Sequence, residues 1–590
     1  MKEELLGIYR ELCSVCGISP DNGFVNLSVL LKDILGDFSD SCQRPAIWGN
    51  GEHTKRLMAD FVFEIRKAKI IIDSNAIGDD ESGYKIITSE QLLDNEIDGV
   101  IISSYKYRNE IVSELKKKFP NVKYLDIYAE LLKYGIDCGG EYYLRNHPYE
   151  KYKKINELLY GDEANARHLQ EAMCLSIEMK DFHFAKKLTD FYIEKYGSDD
   201  KIAKIQRLLD KTIVKINDAV KSINKENLLM LCIDSLRNED LEHGLMPNLR
   251  EYIKYKMQYC NRAYSVSTST YESLIPAYSE NFDLRSKYYE NNKIAKDDCR
   301  FINRAIEQGR KIHFYADGET YVENEAIQYS RIPQTVTEKI WDFIIDSADE
   351  KNGLFYIHVL YESHFSFVNP YTKEGFYAGG TNLFFDFLEK NGGELKTDYI
   401  QQHKDALRYI DDTLNEVLWN LRIPMIIFAD HGISIVSKES KIETLNPILL
   451  AYDDSKIRIP FAYWNGDDMP GESNELMSLA DINGVIIDLL NGNRCEIKKK
   501  DYVKIQRSRI YNPDYIFLYN KLNFERGALA FEAFVFESGE KLVLYENGQC
   551  DLLNKDERFM QDEELKQKLL KRVLKEITVC PKEQLCISRK

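Results

Sequence analysis

A chain of 590 residues, 44% of them apolar, is too long for one core and apolar enough for several, so three or four domains are expected. A net charge of −17, with Lys and Arg spread along the sequence, argues against a nucleic-acid groove as its main business. No apolar run approaches the ~18 residues of a membrane helix, the start at Met1–Leu6 lacks a signal peptide's basic and apolar regions, and the 12 cysteines are mostly isolated, as reduced thiols are. A cytoplasmic location is expected. Residues 1 to about 35 carry a helical pattern that includes Cys13 and Cys16, a lone C-x-x-C with no second pair at zinc-finger spacing. Pro45–Trp48 then enters a glycine turn at Gly49-Asn50-Gly51, followed by a helix with Leu57, Met58, Phe61 and Val62 on one face. Strands are predicted at Lys69–Asp73, Gly99–Ser103 and Val122–Leu125, with a helix over Asn109–Phe119. This alternation predicts a small doubly wound domain over residues 1–140.

Asp73 falls about 20 positions past the glycines, the spacing of a ribose-binding carboxylate. Gly49, Gly51 and Asp73 are therefore candidates for a nucleotide or dinucleotide site. Only G-x-G is present, with Lys55 near where a third glycine would fall, so a scaffold for packing or partner contact is the alternative. The stretch Trp48-Gly49-Asn50-Gly51-Glu52-His53-Thr54, together with Asp73, resembles the Rossmann-like accessory domains attached to sugar-modifying methyltransferases and surface-polysaccharide enzymes. Residues 141–225 follow with helical periodicity: Leu169, Met173, Ile177 and Met179, then Phe182, Phe184, Ala185, Leu188 and Tyr192. Antiparallel helices fit, no repeat period is visible, and the segment is expected to be a helical linker domain.

At Asn227 the pattern changes. Leu228–Ile233 is a short apolar run of the kind that forms a buried parallel strand, and it ends in Asp234-Ser235-Leu236-Arg237. Pro247-Asn248-Leu249 opens a helix, and a Ser/Thr-rich turn, Ser265 to Ser273, follows. Further strands are predicted at Lys311–Tyr315, where His313 is a core histidine, and at Leu354–Leu360, which runs into Tyr361-Glu362-Ser363-His364. A long helix carries Ala406, Tyr409, Ile410, Thr413, Leu414, Val417, Leu418 and Leu421 on one stripe. It delivers the chain to Met425–Phe428 and then Asp430-His431-Gly432. A polar pair at the carboxyl end of a buried strand is where open α/β sheets place their sites. Asp and His together suit a zinc- or manganese-class metal, and Gly432 is expected to let the backbone turn sharply.

Taken in order, these motifs resemble the alkaline phosphatase and sulfatase superfamily over roughly residues 225–560, with a late echo at Lys541-Leu542 and Cys550-Asp551-Leu552-Leu553. The resemblance implies a mixed sheet sandwiched by helices, with a catalytic domain at 226–510 and a C-terminal subdomain at 511–590. It implies one divalent metal, zinc or manganese, held by Asp234, Asp430 and His431, and Thr270 as a metal-activated nucleophile. It gives His364 the part of substrate-oxygen ligand or proton donor, and Arg237 that of orienting the anion or fixing Asp234; Ser273 stands three residues after Thr270, also a substrate contact. Ser267, Thr268 and Ser269 are rival hydroxyls, and His364 and Arg237 have ordinary surface or salt-bridge readings. Thr270-Tyr271-Glu272-Ser273-Leu274 lacks the Pro and Arg of the Cys/Ser-x-Pro-Ser-Arg sulfatase motif. A threonine nucleophile is similar instead to phosphoethanolamine and phosphoglycerol transferases. No histidine follows His431, so their extra downstream histidine is missing, with Lys438 or Lys441 as electrostatic substitutes. The expected function is a metal-dependent phospho-group transferase or hydrolase acting on a surface glycan or its precursor. The alternatives are a sulfuric or phosphoric ester hydrolase of a small soluble substrate, and a non-catalytic scaffold of the same fold. No nucleic-acid partner and no membrane span are expected.

Overall fold

The computed structural model describes residues 1–18, 23–51, 53–54, 57–58, 61, 63–73, 78–79, 84–133, 148–161, 165–283, 294, 297–317, 321–322, 324–330, 333–365, 367–373, 399–433, 452–511, 516, 519–520 and 525–581. Its contacts divide the chain into two units. One comprises Met1–Cys16, Tyr152–Ser330 and Gln334–Lys590; the other comprises Gly17–Lys151 and Arg331–Pro333.

The smaller unit is built on β1 (Pro45–Trp48), β2 (Ile70–Ile72), β3 (Gly78–Asp79), β4 (Lys85–Ile87), β5 (Gly99–Ile102) and β6 (Lys123–Asp126), in the order β3-β4-β2-β1-β5-β6. Every pair is parallel except β3 with β4. Apolar side chains alternate to both faces. Ile47 and Ile101 pack with Leu57, Phe61 and Ile65 on one face, and Trp48, Ile72 and Val100 with Ile111 and Leu115 on the other. This is the doubly wound sheet expected from the strand–helix alternation. The order reverses around β1, so the carboxyl end of β1 is the topological switch point. Gly49 sits there at φ +121, where a Cβ would lie 2.8 Å from the Ser103 carbonyl oxygen. Thr54 Oγ1 donates to the Gly49 carbonyl at 2.8 Å and closes the turn.

The larger unit contains β7 (Leu228–Ile233), β8 (Gln258–Tyr264), β9 (Lys311–Tyr315), β10 (Ile327–Ser330), β11 (Gly353–Val359), β12 (Met425–Phe428), β13 (Arg458–Ile459), β14 (Phe461–Trp464) and β15 (Gly471–Ser478). The order is β10-β9-β11-β7-β12-β14-β8-β13, with β15 also on β8. The first five strands are mutually parallel. β14 runs antiparallel to both β12 and β8, so β8 points the same way as β12. The carboxyl ends of β7, β8, β9, β11 and β12 therefore share one edge. β7, β11 and β12 are buried along their whole length, as central parallel strands covered on both faces must be. The helix Tyr399–Leu418 buries the expected stripe from Ala406 to Leu418. From the same helix the Asp411 carboxylate accepts the Asn248 and Leu249 amides at 3.0 and 2.7 Å, holding the start of the helix Pro247–Lys256.

Two boundaries differ from the sequence expectation. The helix Lys2–Cys16 packs on the helices Asp200–Ser222 and Ala166–Glu178, inside the larger unit rather than with the N-terminal sheet. Its apolar face, Leu5, Ile8, Tyr9 and Leu12, is buried there, with Tyr9 against Phe182 and Trp341. The C-terminal sheet is β16 (Tyr502–Arg507), β17 (Phe531–Phe536), β18 (Lys541–Tyr545) and β19 (Cys550–Leu553), antiparallel throughout. It begins before residue 511 because β16 pairs along its full length with β17. Among the described residues the cysteines are free, and no helix is long and apolar enough to cross a membrane.

Candidate active site

Four side chains converge at the shared strand edge. Asp234 follows β7, Asp430 and His431 follow β12, and Thr270 opens the helix Thr270–Ser279 after β8. One ligand atom each from Asp234, Asp430 and His431 lies within 4.8 Å of the others, and all three residues are buried. Thr270 Oγ1 donates to Asp234 Oδ2 at 3.1 Å and lies 3.4 Å from His431 Nε2. His431 Nδ1 lies 2.7 Å from the Gly432 carbonyl oxygen, which can only accept. Nδ1 is then the protonated nitrogen, and Nε2 presents a lone pair to Thr270 Oγ1 and to Asp430 Oδ2, 3.4 Å away.

The residues fit a divalent cation. One ligand atom each of Asp234, Asp430 and His431 faces the other two, so two carboxylates share a small buried space beside a single imidazole. Asp430 Oδ2 is buried without a hydrogen-bond partner among the described residues, while Asp430 Oδ1 accepts the amides of Ser235 and His431 at 3.1 and 2.8 Å. An imidazole nitrogen and carboxylate oxygens form the donor set of zinc or manganese. The electrostatics agree. Burial and the facing Asp234 raise the Asp430 carboxyl. Burial would lower His431, yet Asp430 and Asp234 together raise it. Burial would also raise Asp234, but a contact with His358 and the charges of His364 and His431 hold it below the carboxylate range.

Local backbone sets these positions. Ser235 adopts φ +58, a left-handed conformation that costs about 1–3 kcal/mol in a non-glycine residue and recurs at functional sites. Its Oγ donates to Asp234 Oδ1 at 2.6 Å, which orients the carboxylate. Gly432 acts otherwise than expected. It is not among the positive-φ glycines; a side chain is excluded because a Cβ would collide with the Ser455 carbonyl, and its amide donates to Lys456 O at 2.8 Å. Close approach of another backbone, rather than a sharp turn, requires the glycine.

Thr270 and its three rival hydroxyls separate by their bonds. Ser267 Oγ donates to Glu272 Oε2 at 2.9 Å, and of the hydroxyls from Ser267 to Thr270 only that of Thr270 bonds Asp234 among the described residues. Thr270 is half-buried at the start of its helix. Ser273 is fully buried and its Oγ accepts the Ser267 amide at 3.2 Å, so it shapes the turn from inside the fold. Arg237 pairs with Asp240 and Glu239 rather than Asp234. His364 lies on the loop after β11, half-buried, with Nδ1 2.7 Å from Phe365 O. Lys438 and Lys441 lie outside the described residues. In the smaller unit, Gly49 follows β1 and Asp73 follows the neighbouring β2, its amide bonded to Ile87 O at 3.0 Å; a Cβ on Gly51 would meet open space.

One residue escaped the sequence reasoning. His358, inside β11, is fully buried, and its Nε2 lies 3.4 Å from Asp234 Oδ2 without hydrogen-bond alignment. The only signal was a lone imidazole near the end of an otherwise apolar run, six positions before His364.

Compared with known proteins, the chain matches the family described as C2185-like, N-terminal, over residues 42–123. No curated protein matches it. Among solved structures it is similar to a 2-O GAG sulfatase at 11% identity, covering 60% of this chain and 91% of that one with a TM-score of 0.42. It is also similar to the phosphonate monoester hydrolase of Silicibacter pomeroyi at 12% identity, covering 60% and 96% with a TM-score of 0.43. The C-terminal periplasmic domain of a phosphoethanolamine transferase from Campylobacter jejuni matches at 12% identity, covering 47% of this chain and 96% of that one with a TM-score of 0.34.

Proposed function

We propose that the chain is a metal-dependent phospho-group transferase or hydrolase that works through a covalent Thr270 ester. The observation that carries this reading is the Thr270 hydroxyl, 3.1 Å from Asp234 Oδ2 and 3.4 Å from His431 Nε2, at the mouth of a buried cluster of two carboxylates and an imidazole. Asp234, Asp430, His431 and Thr270 Oγ1 would hold the cation. When bound it supplies a Lewis acid that favours the ionised hydroxyl and neutralises charge on the transferred group.

The chain's own residues account for the rest. Asp234 Oδ2 already accepts the Thr270 hydroxyl hydrogen, so it orients the oxygen, and the proton leaves to water as the hydroxyl ionises. Thr270 Oγ1 forms a bond to phosphorus as the ester's leaving oxygen departs. Thr270 is the first residue of its helix, and the Ser269 side chain makes no capping bond, so first-turn amides remain available for the group's oxygens. His364, on the loop after β11, would protonate the leaving oxygen. Water or an acceptor hydroxyl then displaces Thr270 and regenerates the free side chain. The absent Pro and Arg of the formylglycine motif favour phospho over sulfo transfer. The setting, modification of a surface glycan or its precursor, rests on domain company alone.

Thr270→Ala should fold and bind metal as the wild type does, yet lose turnover of activated aryl phosphodiesters or phosphomonoesters by about 10³-fold or more. It should also lose a covalent phospho adduct trapped by rapid quenching. Full activity in Thr270→Ala, or an adduct on Ser267, Thr268 or Ser269, would refute the assignment. A wild type with no turnover of any ester would support the scaffold alternative.

A further inference from the structure

A buried imidazole ordinarily spends its ring nitrogens on partners, because an unpaired polar atom out of water is costly. Among the described residues, His358 is the one histidine with both ring nitrogens buried and without a hydrogen-bond partner. Its backbone, by contrast, is fixed. β11 pairs with β7 so that His358 stands opposite Cys232, and the Asp234 amide donates to the Val359 carbonyl at 3.0 Å. Lys339 Nζ donates to the His358 carbonyl at 2.6 Å, and the same ammonium pairs with Asp317.

This register decides where the ring stands. Side chains alternate along a strand, so Tyr356 and His358 share one face of the sheet with Met230 and Cys232 opposite them. Asp234, two positions past Cys232, continues that face. The helix that opens on Thr270 covers it: Tyr278, near the end of that helix, meets Tyr356 edge-on with ring centroids 6.4 Å apart. The Tyr356 ring in turn lies beside the imidazole at 6.0 Å, inclined by 27°. His358 Nε2 comes 3.4 Å from Asp234 Oδ2, the oxygen that accepts the Thr270 hydroxyl at 3.1 Å. A formed N–H···O bond is about 0.4 Å shorter, and hydrogen bonds at reaction centres commonly tighten as substrate binds. The carboxylate oxygen can only accept, so the imidazole donates, with its proton on Nε2. His358 is not itself one of the converging ligands, which come from Asp234, Asp430 and His431.

We infer that His358 is a positioning residue of the Thr270 site, whose Nε2–H fixes Asp234 Oδ2 in the direction that both Thr270 and the cation require. This rests on the metal-dependent, Thr270-centred reading above. The two oxygens of Asp234 are then held separately, Oδ1 by the Ser235 hydroxyl at 2.6 Å and Oδ2 by His358. As the Thr270 hydroxyl ionises, Oδ2 loses that donor, and His358 is the one that remains among the described residues. A neutral imidazole does this without adding charge to the site. A carboxylate already oriented by hydrogen bonds loses less freedom when it takes up a cation.

The test compares His358→Met with His358→Gln in the full-length protein. The two side chains are of similar length, and only glutamine carries a donor. Zinc affinity is measured by competition with a chromophoric chelator, and adduct formation on Thr270 by rapid quenching at saturating zinc. His358→Met should bind zinc about tenfold more weakly and form the adduct about tenfold more slowly, while KM for an aryl phosphodiester stays near that of the wild type. His358→Gln should recover most of both. Should the methionine variant fail to fold, His358→Leu takes its place with the same expectation. Wild-type zinc affinity in a folded His358→Met or His358→Leu overturns the inference. A His358→Gln no better than His358→Met also overturns it, since that is the mark of a role in packing alone. If the Thr270 adduct is trapped in the wild type and His358→Met binds zinc normally, this inference alone falls. If zinc affinity drops with methionine and returns with glutamine but no adduct can be trapped in the wild type, the positioning role stands and the nucleophile assignment falls.

Discussion

The chain contains two parallel-sheet edges that end their strands very differently. At the switch point of the smaller sheet, Gly49 tucks beneath the Ser103 carbonyl and the Thr54 hydroxyl bonds the Gly49 carbonyl, with the Ser103 carbonyl also within 3.4 Å. The turn is closed by neutral hydrogen bonds, and the buried polar atom there without a partner among the described residues is the uncharged Ser103 hydroxyl. At the carboxyl edge of the larger sheet, two buried carboxylates face one another, Asp430 Oδ2 has no hydrogen-bond partner among the described residues, and Ser235 is held at φ +58. The topological advantage is the same in both places. What distinguishes them is unresolved electrostatic cost, which a fold retains where it is needed for chemistry.

That contrast can be broken at one residue of each edge. The larger effect is expected at Gly432. Gly432→Ala must push away the backbone at Ser455 and Lys456, which should cost about 3 kcal/mol of stability, measured by denaturant unfolding, and lower metal retention as well. Wild-type stability and metal content in this variant would mean that the 455–456 segment yields freely and does not brace His431. The smaller effect is expected at the other edge. Thr54→Val removes the hydroxyl that bonds Gly49 and should cost about 1 kcal/mol, with ester turnover and phosphate binding unchanged. A large loss of turnover in Thr54→Val would show that the switch point takes part in the reaction, and the contrast drawn between the edges would fail.

Much of the site was legible because short apolar runs closed by polar residues have few other interpretations. Leu228–Asp234 and Met425–Gly432 announced both carboxylates and the imidazole, and the stripe from Ala406 to Leu421 announced the helix between β11 and β12. The Arg237–Asp240 pair was also within reach of sequence, since residues three apart on a helical turn are neighbours. Other features depend on contacts that no local pattern encodes. β4 is three residues long and owes its place to pairing with β2 rather than to periodicity. His358 lies inside a fully buried strand, where both faces are covered and alternation does not say which neighbours a side chain meets. The backbone at Ser455 and Lys456 packs against Gly432, more than 20 positions earlier in the sequence, through the glycine's missing side chain. The helix Lys2–Cys16 has an apolar face that identifies it as packed, while the sequence leaves open which unit it packs on.

The most direct test of the central claim is metal stoichiometry, measured by elemental analysis after extensive dialysis. The wild type should retain close to one zinc or manganese per chain, because Asp234, Asp430 and His431 offer one set of converging ligands. Asp430→Ala should leave the protein folded by circular dichroism while removing most of that metal, since the substitution deletes one carboxylate and leaves a single acid beside His431. Equal stoichiometry in the wild type and Asp430→Ala, or a wild type that retains no divalent metal after loading, would contradict the account.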